Sequence, residues 1–176
     1  MSLPRGPEGV TTMRMQIVVY DGFDELDALA PLEVLRRAAE LGADLTVELV
    51  TLAPRDEVTA AFGLRLRADG ALDLDTPPDL VLVPGGGWAA GGASGVRAEI
   101  ARGELPAAIA QLHARGTAIA TVCTGAMLAA AAGLTRGRHA TTHAAAIGAL
   151  RESGADVPAA RVVDDGDLIS AGGITS

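Results

Sequence analysis

Hydrophobic positions fall in short, separated runs along the 176 residues. Met15–Tyr20, Leu45–Leu52, Leu80–Val83 and Thr117–Val122 are nearly continuous and rich in Val, Ile and Leu, the pattern of strands buried on both faces of a parallel sheet. Between them the apolar spacing becomes helical. Leu26–Ala39 reads as an amphipathic helix that Pro31 is expected to break early. Leu105–Ala114 reads as a second helix, stopped by Gly116. Ala126–Ala132 is a short Ala/Leu/Met helix ended by Gly133, and Ala144–Arg151 is another. His139–His143 is a short extended piece before it. Val58–Arg67, turned at Gly63, predicts a small hairpin. Arg161–Val163 and Leu168–Ser170 flank Asp164-Asp165-Gly166-Asp167 and predict a closing hairpin. Strands alternating with helices across short Gly/Pro turns give an α/β sandwich with a mainly parallel sheet. With no internal repeat or linker, residues 15–176 form one domain behind a polar leader over residues 1–14.

Composition narrows the chemistry. Residues are 49% hydrophobic, yet only Trp88, Tyr20, Phe23 and Phe62 are aromatic, so the core is aliphatic. One cysteine, Cys123, excludes an internal disulfide and a cysteine-rich zinc site. All 14 basic residues are Arg, which excludes a Schiff-base lysine and a phosphate-loop lysine. The net charge of −8 argues against binding a nucleic-acid backbone. Gly85-Gly86-Gly87 fails the dinucleotide-binding spacing, because Ala90 stands where the last glycine belongs. No apolar segment reaches membrane-spanning length and no signal peptide opens the chain. The expectation is a cytoplasmic protein with no membrane partner, metal or cofactor.

The candidate chemistry centres on Thr117–Gly133, where a strand turns sharply into a helix with Cys123 at the corner. Such a corner lifts the thiol out of the sheet and aims free helix N–H groups at it, which favours a thiolate. Gly125 is expected to permit the tight turn. Ligands of such sheets sit outside the carboxyl ends of the strands. Two further stretches reach that end. Asp24, Glu25 and Asp27 follow the first strand; Asp24 and Glu25 read as idle charge at the start of a helix. Asp27, among apolar neighbours, is either the helix cap or an acid/base group beside the thiol. Gly85, Gly86 and Gly87 end another strand and, with the Thr124 N–H, offer donors for a developing negative charge. Trp88 beside them either walls a pocket for a small apolar ligand or fills a core gap. His113 reads as a solvated helix-end cation, and His139 and His143 as structural; His143 is the better functional candidate of the two.

These residues also carry a resemblance. Val83-Pro84-Gly85-Gly86, Thr121-Val122-Cys123-Thr124-Gly125-Ala126, Ala132-Gly133-Leu134, Gly137-Arg138 with Ala140-Thr141-Thr142-His143, and Ser170–Ser176 are similar to the ThiJ/PfpI superfamily, the class I glutamine-amidotransferase-like group. The resemblance implies a flavodoxin-like three-layer sandwich with a nucleophile elbow. It also implies a pairing of Cys123 with a carboxylate after the first strand, a position that Asp27 matches within Leu26–Pro31. Protease-like members carry His after the cysteine; here that residue is Thr124. The Asp and Cys-Thr arrangement instead resembles isonitrile hydratase and the amidotransferase-like domains of AraC-type regulators. The chain departs from that branch at Ala144, where Trp is common, and a further C-terminal helix is expected to be absent. The implied function is a cysteine-dependent hydratase that turns a small isonitrile into an N-substituted formamide. Cys123 would be nucleophile, Asp27 acid/base, and Thr124 the residue orienting Asp27 or the ligand. The alternatives are a non-catalytic small-molecule sensor domain and a cysteine hydrolase or protease-like enzyme. A homodimer is expected from the resemblance and the Ala-rich helices. Two negative groups side by side would repel, so Cys123 and Asp27 are expected to share one proton, with the sulfur ionised and the carboxyl protonated.

Overall fold

A computed structural model describes residues 12–89 and 92–173. Its first strand, β1 (Met13–Val18), begins two residues earlier than the hydrophobic run predicts. Met13 and Arg14 therefore belong to the sheet, paired with Leu45 and Thr46; the rest of the expected leader, up to residue 11, lies outside the described residues. Helix α1 (Glu25–Glu40) runs unbroken through Pro31. Proline withdraws one N–H, which leaves the Asp27 carbonyl without its partner four residues on. The burial of Asp27, Ala28 and Leu32 on the inner face holds the helix together across that gap.

The chain continues through β2 (Leu45–Thr51), the antiparallel hairpin β3 (Val58–Thr59) and β4 (Arg65–Leu66), β5 (Gly70–Ala71) and β6 (Leu80–Val83). The sequence pattern predicts nothing between Trp88 and Leu105, but α2 (Val96–Arg102) forms there and α3 (Glu104–Ala114) follows. Then come β7 (Ala118–Val122), a 3-10 turn over Cys123–Gly125, α4 (Ala126–Ala131), α5 (Ile147–Glu152), β8 (Val162–Asp164) and β9 (Leu168–Ala171). The last two pair antiparallel as expected.

Seven strands make one sheet in the order β5-β2-β1-β6-β7-β9-β8. Every pairing is parallel except β8 with β9. The core is aliphatic, with Ile17, Val18, Val81, Ile109, Ile119 and Leu128 all buried. From β1 the chain first steps outward to β2, then returns to the other side of β1 with β6 and continues to β7. The strand order thus reverses between β1 and β6, and the crevice at their carboxyl ends is where an open α/β sheet binds its ligand. The loop after β1, the turn after β6 and the corner after β7 meet there.

Candidate functional site

Cys123 sits at that corner with φ 56°, the one non-glycine residue with positive φ among those described. The strained, left-handed conformation belongs to the cysteine itself; Gly125, expected to make the turn, is ordinary right-handed helix at φ −55°. Glycine is required at 125 for a different reason. A Cβ there would stand 2.2 Å from the Val83 carbonyl oxygen, so only glycine lets the elbow lie against β6. Gly173 closes the other side: a Cβ on it would lie 2.1 Å from that of Cys123. The backbone after β9 is therefore pressed against the cysteine, a contact the quoted Ser170–Ser176 motif contains but sequence spacing cannot place. Residues 174–176 of that motif lie outside the described residues. Thr142 Oγ1 donates to the Cys123 carbonyl at 2.8 Å and fixes the strained peptide.

Asp27, on the first turn of α1, is 3% exposed and reaches the sulfur from behind. It is not the helix cap. Asp24 holds that role, accepting the Leu26 N–H at 3.1 Å. Asp27 Oδ2 instead accepts the Gly85 N–H at 3.0 Å, and the carboxyl lies close enough to the Cys123 thiol for each to act on the other's proton affinity. Asp24 and Glu25 are not idle either. Asp24 lines the cavity in front of the cysteine, and Glu25 Oε1 accepts the Phe62 N–H at 2.9 Å, which ties the β3–β4 hairpin to α1.

Thr124 faces the sulfur. Its hydroxyl accepts the Gly86 N–H at 3.0 Å, and its N–H and hydroxyl act to lower the proton affinity of Cys123. Gly86 can only donate in that contact, so the hydroxyl proton is left for the sulfur. Among the described residues no hydrogen bond joins Thr124 to Asp27. The N–H groups of Gly85 and Gly86 are engaged by Asp27 and Thr124, so they shape the site from within the protein. Tyr20 completes this inner shell, a residue the sequence pattern offered only as the end of a strand. Its hydroxyl donates to the Pro84 carbonyl at 2.5 Å and, more weakly, to that of Gly85 at 3.3 Å.

In front of Cys123 lies a cavity of about 240 Å³. Gly87, Trp88, Ala89, His143 and Ala145 wall it together with Cys123 and Thr124, and among the described residues no arginine lines it. Trp88 is clamped by Arg97 of α2. The guanidinium stacks 4.1 Å from the ring centroid while its Nε donates to the Trp88 carbonyl at 2.6 Å. His143 Nδ1 accepts the Ala145 N–H at 3.2 Å, so the neutral ring carries its proton on Nε2. The other histidines lie away from the cavity. His113 pairs with Asp167 at 2.9 Å, and His139 lies between Asp156 and Asp165. Among the described residues no group of three His, Cys, Asp or Glu side chains could hold a metal, and no helix is long and apolar enough to cross a membrane.

Electrostatics overturn the expected thiolate. Burial, then the Asp27 charge, pushes the Cys123 thiol up to about 12, against the opposing hydrogen bonds of Thr124. Burial, then the Asp24 charge, raises Asp27 to about 6, while the Gly85 N–H and the thiol restrain it. The two groups do compete for one proton, but near neutral pH the carboxyl is ionised and the sulfur keeps it. The helix behind the cysteine explains the difference: a 3-10 turn followed by six residues supplies too weak a dipole to outweigh desolvation.

The sequence profile described as the DJ-1/PfpI family matches residues 13–176, and the chain belongs to that family. The isonitrile hydratase of Pseudomonas putida is 33% identical over 93% of this chain and 68% of its own length. The HTH-type transcriptional regulator CdhR of Pseudomonas aeruginosa is 31% identical over 90% of this chain, which spans 46% of the regulator. Among solved structures, a THiJ/PfpI family protein from Pseudomonas syringae superposes with a TM-score of 0.78 at 27% identity. That match covers 99% of this chain and 70% of the other.

Proposed function

We propose that this DJ-1/PfpI-family chain is a cysteine-dependent hydratase of a small, neutral isonitrile, with Cys123 as nucleophile and Asp27 as its proton shuttle. The observation that carries the reading is the pairing of buried Asp27 with Cys123 behind a small cavity that, among the described residues, no arginine lines. An isonitrile is compact and uncharged, and its terminal carbon must gain both a nucleophile and a proton. A thiol that starts protonated beside an ionised carboxylate supplies both.

Sulfur bonds to the isonitrile carbon while its proton passes to Asp27, and Asp27 then delivers that proton to the same carbon, giving a thioimidate, S–CH=N–R. Water adds to this carbon; Asp27 accepts one of its protons and passes it to nitrogen. The carbon–sulfur bond breaks, the carbonyl forms, and the remaining hydroxyl proton returns to sulfur. The sum is isonitrile plus water to N-substituted formamide, with the enzyme restored. Thr124 steadies the sulfur as negative charge passes through it, and Trp88, Ala89 and Ala145 receive the R group. The similarity to the P. putida isonitrile hydratase supports this chemistry.

The test is formamide formation from a panel of alkyl isonitriles. Wild-type protein is expected to turn over the smaller members, and folded Cys123→Ala and Asp27→Asn proteins to lose at least about a thousandfold, the scale on which loss of a nucleophile or its base is felt. Absence of wild-type turnover across the panel sinks the proposal. A sensor role is the second reading, supported by the similarity to the CdhR regulator. It requires a ligand that binds the cavity without turnover and still binds Cys123→Ala.

A further inference from the structure

Two consecutive peptide units in the turn after β6 are each hydrogen-bonded at both ends. Tyr20 donates to the Pro84 carbonyl at 2.5 Å, and the N–H of that same unit, on Gly85, donates to Asp27 at 3.0 Å. The Asp24 N–H donates to the Gly85 carbonyl at 2.8 Å. The N–H of that second unit, on Gly86, donates to the Thr124 hydroxyl at 3.0 Å. A donor on a peptide oxygen draws density from the nitrogen and makes its N–H a stronger donor in turn. One unit thus leads from Tyr20 to the carboxyl, and the next leads through Thr124 to the thiol.

Tyr20 is suited to be a fixed donor. Burial, with the negative charges of Asp27, Glu99 and Asp24 around it, holds its phenol well above the usual value, so it does not ionise across the working range. Removal of the hydroxyl would leave the shape of the ring in place and relax only this relay.

We propose that Tyr20 is a positioning residue for the Asp27–Cys123 pair: acting through the Pro84–Gly85 peptide, its hydroxyl strengthens the hydrogen bond that Asp27 receives and favours the carboxylate that takes up the thiol proton. The inference rests on the pair acting as set out under the proposed function. The titratable groups that face Asp27 are Asp24 before α1 and Cys123 at the elbow, and Glu99 of α2 faces Tyr20 from the other side.

Tyr20 is the only tyrosine in the chain, so growth on 3-fluorotyrosine changes this phenol alone, making it a stronger donor, while Tyr20→Phe removes the donor. The readout is the rate of Cys123 alkylation by iodoacetamide as a function of pH, which needs no substrate. In wild-type protein the rate is expected to rise in two steps, the first being the first ionisation of the pair, which Asp27→Asn should lack. Tyr20→Phe is expected to move that step up by about 0.3–0.5 pH units, and fluorotyrosine to move it down by a similar amount. A step that stays in place, or moves the same way in both proteins, overturns the role of Tyr20 and leaves the pair intact. A step that persists in Asp27→Asn removes the pair itself, and the Tyr20 inference with it. Should Tyr20→Phe fail to fold, the fluorotyrosine protein decides alone: a downward shift supports the relay and no shift overturns it.

Discussion

Asp27 holds a proton in the folded protein over a pH range in which the unfolded chain has released it. Its folded value of about 6 lies above the usual carboxylate value of 3.8, so whatever stability it contributes is complete below about pH 4. That stability is lost as pH rises through about 6. Replacing it with Asn keeps an acceptor for the Gly85 N–H and removes the titration. The stability of Asp27→Asn relative to wild type, from urea midpoints, is therefore expected to improve by about 2–3 kcal/mol between pH 4 and pH 7. A difference that does not change with pH would show that Asp27 is not buried against the sulfur. At this scale the sequence was a partial guide. Asp27 could be singled out because a carboxylate among Ala and Leu after a strand has few innocent uses. The proton affinity of Cys123 could not be, because it depends on the Gly173 backbone pressed against it and on Asp27 behind it, neither of which is near in sequence.

At the scale of elements, the long apolar runs declared themselves as strands, most clearly β6, which is buried along its whole length. The pieces that shape the site did not. α2 is short, starts after a Gly/Ser-rich stretch and has no side-chain cap, so no local signal marks it; yet it carries Arg97, which holds the Trp88 wall. Pro31 misled in the opposite direction, because packing of the inner face of α1 outweighs one lost hydrogen bond. If α2 positions the wall, Arg97→Ala should loosen Trp88 without touching the thiol. Stacking of this kind contributes about 0.5–1 kcal/mol, so KM for the isonitrile is expected to rise about two- to fivefold with kcat nearly unchanged. Emission from Trp88, the only tryptophan, is expected to shift to the red. A fall in kcat with KM constant would contradict the assignment.

For the whole molecule, the reversal of strand order between β1 and β6 is what brings Asp27, the Pro84–Trp88 turn and Cys123 to one crevice. The sequence located all three at strand ends, but their meeting depends on the order of strands in the sheet. That order is not readable from periodicity; the structure supplies it. The central claim is that the crevice joins isonitrile carbon to Cys123 and that Asp27 moves the proton that makes this possible. Rapid acid quench during turnover, followed by intact-mass and peptide mass spectrometry, tests it most directly. The account predicts wild-type protein heavier by one isonitrile, with the added mass on the peptide containing Cys123, and no such species in Asp27→Asn. Formamide production by Cys123→Ala at the wild-type rate, with no adduct on the wild-type protein, would contradict it.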